Sequence, residues 1–294
     1  MSTRDELKAK VCTLIDQRAQ EIIGISQHIL HNPESGFREQ KTARFVQEQF
    51  DKLELPHRDG LAVTGVKSWV DSGFPGPTVA ILGELDSMIV REHPSADPDT
   101  GAAHACGHHA QIGMMLGAAM GLRLSGVLRE LTGRVVFLAV PAEELIEIEY
   151  RESLRQQGKI EFIGGKPELI RLGELDDVDI AMMTHTTSNP QEGKIAISST
   201  NNGLVVKKVQ YIGRGAHAGG SPHLGINALN SAMLGLQAIH SLRETFQEKD
   251  TVRVHPIITR GGDAVSAVPS DVRIETFVRA NNVDAVREWD KKVD

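Results

Sequence analysis

The chain has 294 residues, 40% of them hydrophobic and 24% charged, with a formal net charge of −7. That length allows two domains at roughly 100–200 residues each, and the composition is that of a soluble globular protein. The acidic balance argues against a nucleic-acid binder, which needs clustered Lys and Arg, and no apolar run approaches the roughly 20 residues of a membrane span.

The opening segment, MSTRDELKAK, has scattered charges and no apolar signal core. The cytoplasm is therefore the expected compartment. Cys12 and Cys106 are the only cysteines and lie far apart, so a disulfide framework does not explain the fold. Cys12 falls on an amphipathic pattern and is expected to be a buried, inert thiol.

Residues 4–31 read as a helix, with Val11, Leu14, Ile15, Ile22, Ile25, Ile29 and Leu30 at helical spacing. Pro33 and Gly36 end it, and a second helix is expected around 38–53. PTVAILGEL is a continuous apolar run of strand length, as in a strand buried on both faces. A polar loop over 91–103 follows, then HACGHHAQ opens onto a small-residue-rich helix. GRVVFLAVPAEE reads as a buried strand ending in Glu143 and Glu144, 147–178 as a long polar stretch, and DVDIAMMTH as a third buried strand. Strands alternating with helices predict a mostly parallel sheet.

The pattern changes near Asn202. GLVVKKVQYIG alternates apolar and polar residues, predicting a strand with one wet face. A helix over 225–245, strands at TVRVHPIITRG and SDVRIETFVRA, and a helix over 282–293 complete a β-α-β-β-α order. That is one strand short of a split βαβ sandwich.

Cys106 with His108, the pair Glu143–Glu144, and His185 all fall at or just beyond the carboxyl ends of predicted strands. In an open α/β sheet that edge is where ligands bind. Thiolate, imidazole and carboxylate are all competent ligands for first-row metals. Cys106 beside a base at a helix start also fits an activated nucleophile, and each feature taken singly fits core packing or a solvated turn. Together the segments favour a metal site, with one glutamate coordinating and its neighbour facing substrate as a general base.

In this order and at these separations GELDSM, HACGHH, PAEE, MTHTTSNP and GRGAHAGGSPH resemble the co-catalytic metallopeptidases of clan MH. The nearest branch holds hippurate hydrolase, indole-acetyl-amino-acid hydrolases and aminobenzoyl-glutamate hydrolase. The resemblance implies an α/β fold: a mixed, mostly parallel sheet flanked by helices over 1–201, and an inserted ferredoxin-like lid and dimerisation domain over 202–294. It implies metal-dependent cleavage of the amide in N-acyl or N-aroyl amino acids or dipeptide-like substrates, with two divalent ions, zinc or manganese, per site. Cys106, His108, Glu144 and His185 match ligands, and Glu143 matches the general base. Asp86 matches a carboxylate behind the site, and His217 matches a histidine that reaches a neighbouring protomer and stabilises the oxyanion there. Arg279 lies near a substrate-carboxylate clamp, and the partner expected is a second copy of the chain.

Several positions depart from the branch. His109 stands for aspartate, Ala110-Gln111 for Gly-His, Glu84 for aspartate and Ser266 for asparagine. The family's return to the catalytic domain, with one more histidine ligand, would lie beyond Asp294, so the lid is expected to be incomplete here. The alternative reading is therefore an inactive fragment or degenerate relative that binds or dimerises.

Overall fold

A computed structural model describes residues 2–197 and 201–294 and divides the chain into two compact units, Met1–Pro190 and Gln191–Asp294. In the first unit the expected opening helix is two helices, α1 (Arg4–Gln17) and α2 (Ala19–Leu30), separated at Arg18, whose φ and ψ of −98° and 8° interrupt the helix. Thr3 and Glu6 form a reciprocal capping box at the start of α1, an arrangement that satisfies two otherwise orphaned N–H groups. Helix α3 (Gln40–Lys52) follows, burying Val46 and Phe50 completely. Cys12 is exposed, not buried, because α1 has no fully buried residue.

Strands β1 (His57–Leu61) and β2 (Gly65–Asp71) form a hairpin that the residue pattern had not announced. Then come β3 (Thr78–Glu84), the short pair β4 (Met88–Ile89) and β5 (Ala102–Ala103), and helix α4 (His108–Leu124). Strand β6 (Arg134–Val140) leads to helices α5 (Ile148–Gln156) and α6 (Gly165–Arg171), both inside the stretch expected to be merely polar. Strand β7 (Ile180–Met183) completes a five-stranded sheet in the order β1-β2-β6-β3-β7. The run β6-β3-β7 is parallel and β1-β2-β6 antiparallel, so the sheet is mixed.

Central β6 shows why an unbroken apolar run belongs in this sheet. Val136, Leu138 and Val140 pack with Ala80, Leu82 and Leu169 on one face. Phe137 and Ala139 pack with Ile112, Met115 and Leu116 of α4 and with Ile25 and Ile29 of α2 on the other. Each of these side chains larger than alanine contributes roughly 1.5–3 kcal/mol by leaving water. Helix α4 lies close to its neighbours because of its small residues: a Cβ on Gly113 would meet Ser26 Oγ at 2.0 Å, and one on Gly121 would meet Val11 Cγ1 at 2.9 Å. Strand β7 corrects the expectation of a third buried strand. Among the described residues it pairs only with β3, at the sheet edge, and Ile180, Met182 and Met183 are exposed.

The second unit contains β8 (Gly203–Ile212), α7 (Ala228–Ser241), β9 (Arg253–Val254), β10 (Ile257–Arg260), β11 (Asp271–Ala280) and α8 (Val283–Val293). The single strand expected at TVRVHPIITRG is split into β9 and β10 around His255-Pro256, since proline cannot donate to the ladder. β11 is central and antiparallel to β8, β9 and β10. Its alternation buries Val272, Ile274, Val278 and Ala280 on one face, against Ala228 and Ala232 of α7 and Trp289 and Val293 of α8. Asn227 and Asn282 cap the two helices by accepting backbone N–H bonds.

Candidate metal centre

Four chain segments meet at the carboxyl edge of the parallel strands in the first unit. Strand β3 ends at Glu84 and carries on to Asp86; the loop after β6 brings Glu143 and Glu144; the turn before α4 brings Cys106 and His108; and the exit of β7 brings His185. Gly107 makes the Cys106 turn possible. Its φ is +85°, and a Cβ there would lie 2.2 Å from Thr186 Oγ1. The Thr186 hydroxyl donates to the Cys106 carbonyl at 3.1 Å, joining the two loops.

His108 is 1% exposed, and its orientation is set from behind. Its Nδ1 donates to the Asp86 carbonyl at 2.8 Å, which leaves Nε2 to face the cluster. Asp86, fully buried, accepts the Glu144 backbone N–H at 2.9 Å, and its other oxygen lies 3.5 Å from His108 Nδ1. One residue thus positions both a histidine, through its main-chain carbonyl, and the segment bearing the glutamates, through its carboxylate, as supporting groups behind metal ligands do. His185 donates from Nδ1 to the Thr186 carbonyl at 2.7 Å and turns Nε2 to within 3.5 Å of Cys106 Sγ. Ligand atoms of Cys106, His108 and His185 lie within 4.8 Å of one another, and so do those of Glu84, His108 and Glu143. Glu144 Oε1 is 4.0 Å from His108 Nε2.

The loop bearing the glutamates is held in a conformation its residues do not favour. Ala142 has φ +49°, a strained value for a residue with a Cβ. Buried Glu39 accepts its N–H at 2.7 Å, while fully buried Arg151 donates to the carbonyls of Ala142, Ile163 and Glu144.

The electrostatics are those of a crowded anionic site. Burial works against a charged His108, yet contacts with Asp86, Cys106 and Glu84 outweigh it and raise its pKa. Burial, the Glu84 charge and the Glu144 charge raise Glu143 despite Lys166. A hydrogen bond from His108 lowers Cys106, but burial and Glu144 prevail and hold the thiol above its ordinary value. Burial disfavours the Glu84 carboxylate, and His108 with Lys166 overcome that, bringing it to about 2.

The residues fit a divalent cation. Glu84 Oε2, His108 Nε2 and Glu144 Oε1 are buried and without a hydrogen-bond partner among the described residues, although they converge on one place. Such atoms are costly to bury unless something compensates them. A sulfur, imidazole nitrogens and carboxylates form a donor set suited to zinc or a neighbouring first-row ion.

Of the residues singled out from sequence, Asp86, Cys106, His108, Glu143, Glu144 and His185 share this place. His217 and Arg279 belong to the second unit. There the exposed His217 accepts the Gly220 N–H at 2.8 Å on Nδ1, and the exposed Arg279 on β11 packs over the Phe277 ring. Sequence reasoning missed Lys166, Arg151 and Glu39. It also met Glu84 only as a departure from a pattern. Glu84's place two residues before Asp86, at the end of a buried strand, was the usable signal. Gln111, another departure, accepts the Glu84 N–H and donates to the Thr184 carbonyl, tying the ends of β3 and β7 together.

A candidate divalent-cation centre on the carboxyl edge of an α/β sheet is thus the class that fold and donor set define. The family model described as peptidase family M20/M25/M40 matches residues 80–286, and the chain belongs to that family. An N-acyl-L-amino acid amidohydrolase of Geobacillus stearothermophilus is 29% identical over 291 residues, covering 94% of this chain and 70% of the relative. The IAA-amino acid hydrolase ILR1-like 4 of Arabidopsis thaliana is 28% identical over 285 residues, covering 93% and 59%. A p-aminobenzoyl-glutamate hydrolase homolog of Haemophilus influenzae is 29% identical over 238 residues, covering 77% and 51%. The chain therefore spans between about half and 70% of the length of these relatives. Among solved structures, an aminobenzoyl-glutamate utilization protein from Klebsiella pneumoniae superposes with a TM-score of 0.67 at 19% identity, covering 96% of this chain and 72% of that one. A dinuclear metal-binding M20 peptidase from Bacillus subtilis does so at 0.58 and 19%, covering 93% and 67%. These two share the fold.

Proposed function

We propose that this protein is a metal-dependent amidohydrolase that cleaves the amide bond of N-acyl or N-aroyl amino acids or of dipeptide-like amides. The observation that carries the reading is the convergence of buried, unpartnered ligand atoms from distant segments at one sheet edge. The names of the relatives, amidohydrolases of acyl, indole-acetyl and aminobenzoyl amino acids, support the substrate class.

Cys106, His108, Glu144 and His185 would hold the metal. Zinc or manganese bound there, as one ion or as a pair, would polarise the scissile carbonyl and acidify a water. Glu143 sits beside these ligands and is half-buried, and its raised pKa suits a base that takes the water's proton and returns it to the departing amine. Asp86 keeps His108 and Glu144 aimed while charge develops. In the second unit, His217 would donate to the oxyanion of a partner's site, a contact typically worth about 3–4 kcal/mol, and Arg279 would hold the substrate carboxylate. The second unit would join two copies as a homodimer. Two free cysteines, one of them a candidate ligand, fit a reducing cytoplasm.

The test is hydrolysis of hippurate and aminobenzoyl-glutamate by the full-length gene product with added manganese or zinc. Turnover that disappears in Glu143→Gln, with metal content retained, supports the reading; absence of turnover on every such amide removes it.

A further inference from the structure

Glu84 has no role in the reading above, yet it is the carboxylate nearest the proposed ligand His108. Its Oε2 lies 3.0 Å from His108 Nε2, against 3.9 Å for Glu143 and 4.0 Å for Glu144. The two carboxylate oxygens are used differently. Oε1 accepts from the Lys166 ammonium, while among the described residues Oε2 has no hydrogen-bond partner, and the His108 Nε2 it faces has none either. Both side chains are 1% exposed. The short approach is therefore not a hydrogen bond with good geometry, and water does not reach the pair to complete it.

That arrangement is what a shared cation requires. Ligand atoms each about 2.1 Å from one ion, at right-angled to tetrahedral separation, sit roughly 3.0–3.4 Å from each other. The backbone of Glu84 is pinned by Gln111, so the side chain projects from the end of β3 along a fixed path. Lys166 then fixes the rotation of the carboxylate by holding the far oxygen. Its ammonium also lies 3.8 Å from Glu143 Oε1, so the same cation bridges Glu84 and the proposed base.

We infer that Glu84 is a further ligand of the ion held by His108, with Lys166 as the positioning residue that presents its free oxygen. The inference rests on the metal-dependent reading given above. Lys166 offsets one negative charge in a site that otherwise gathers Glu84, Asp86, Glu143 and Glu144. It does so without occupying the oxygen that faces His108. An aspartate in this place would be one methylene shorter and would draw the carboxylate back from Nε2.

The experiment is titration of the metal-free full-length protein with Co2+ and Zn2+ by competition against a chelating dye, with the visible Co2+ spectrum recorded alongside. Glu84→Gln keeps the shape and removes the charge; Glu84→Asp keeps the charge and withdraws the oxygen. Both are expected to bind at least tenfold more weakly and to shift the Co2+ bands, while circular dichroism of the metal-free variants matches the parent. Parental affinity and bands in Glu84→Gln would overturn the inference. So would parental affinity in Glu84→Asp, which would show charge alone at work. Parent protein that takes up no ion overturns the metal-dependent reading and this inference together, whereas tight binding undisturbed by both substitutions overturns this inference alone.

Discussion

Replacing Arg151 by methionine tests what holds the loop that bears Glu143 and Glu144. Arg151 is fully buried and bonds three carbonyls: Ala142, Ile163 at 2.8 Å, and Glu144. Its pKa is lowered by burial, against the opposing pull of Asp86, Glu39, Glu147 and Glu144. Methionine fills much of the volume but removes the guanidinium N–H groups from all three carbonyls, a loss of about 3 kcal/mol at roughly 1.5–3 kcal/mol for a hydrogen bond to a charged group. Ala142 keeps the Gly165 N–H and Glu144 keeps the Ile146 N–H, so these carbonyls are not stranded and add little further cost. For the unit Met1–Pro190 this corresponds to a fall in melting temperature of roughly 10 °C. The assay is urea unfolding followed by Trp69 fluorescence in a Trp289→Phe background, so that only the first unit reports. Arg151→Lys keeps the charge but not the fork, and is expected to recover about half of the loss. A drop below about 1 kcal/mol in Arg151→Met would refute the idea that this guanidinium secures the loop.

Three further outcomes are expected. Glu39 is fully buried, and desolvation together with the Asp86 charge raises its pKa from 4.5 to about 8. The folded state therefore holds a proton that the unfolded chain has released, so this contribution is complete below about pH 4.5 and is lost as pH rises through 8. A few kcal/mol should separate parent from Glu39→Gln between pH 6 and 9, read from urea midpoints, with the parent falling and the variant not. Gly107→Ala forces a Cβ onto Thr186 at a φ that disfavours it, and should weaken Zn2+ uptake at least tenfold in the dye titration. Trp289, 2% exposed and edge-on to Phe246 at 4.5 Å, anchors the second unit; Trp289→Ala should cost about 3–5 kcal/mol and give that unit an early, separate calorimetric transition.

Much of the architecture was legible because burial on two faces leaves a plain mark. The runs at β3 and β6 have no polar side for water, and they are the centre of the sheet. The alternation in GLVVKKVQYIG likewise announced β8 as a strand with one wet face. Legibility failed where local pattern and tertiary setting disagree. β7 is as apolar as a core strand but lies at an edge, and sequence carries no sign of which strands become neighbours. The hairpin β1-β2 goes unannounced because β1 buries none of its residues and β2 buries the polar Lys67 and Ser68 beside its valines, and helices α5 and α6 because their polar faces mask the few residues they bury.

The chain by itself determined the chemistry available. A cysteine and histidine at a helix start, paired glutamates after a buried strand, and a histidine after another are ligand types whose placement at strand ends follows from the parallel run within the sheet. Only the tertiary structure decided which atoms face one another. Glu84 reaches His108, Lys166 takes the opposite oxygen, and Arg151 and Glu39 grip the strained loop from beneath. Apart from Arg151, which lies 7 residues from Glu144, those pairs are separated by tens of residues or more along the chain, and such contacts leave no periodic trace in the sequence. They arise when packing brings the segments together and buried charge must find a partner.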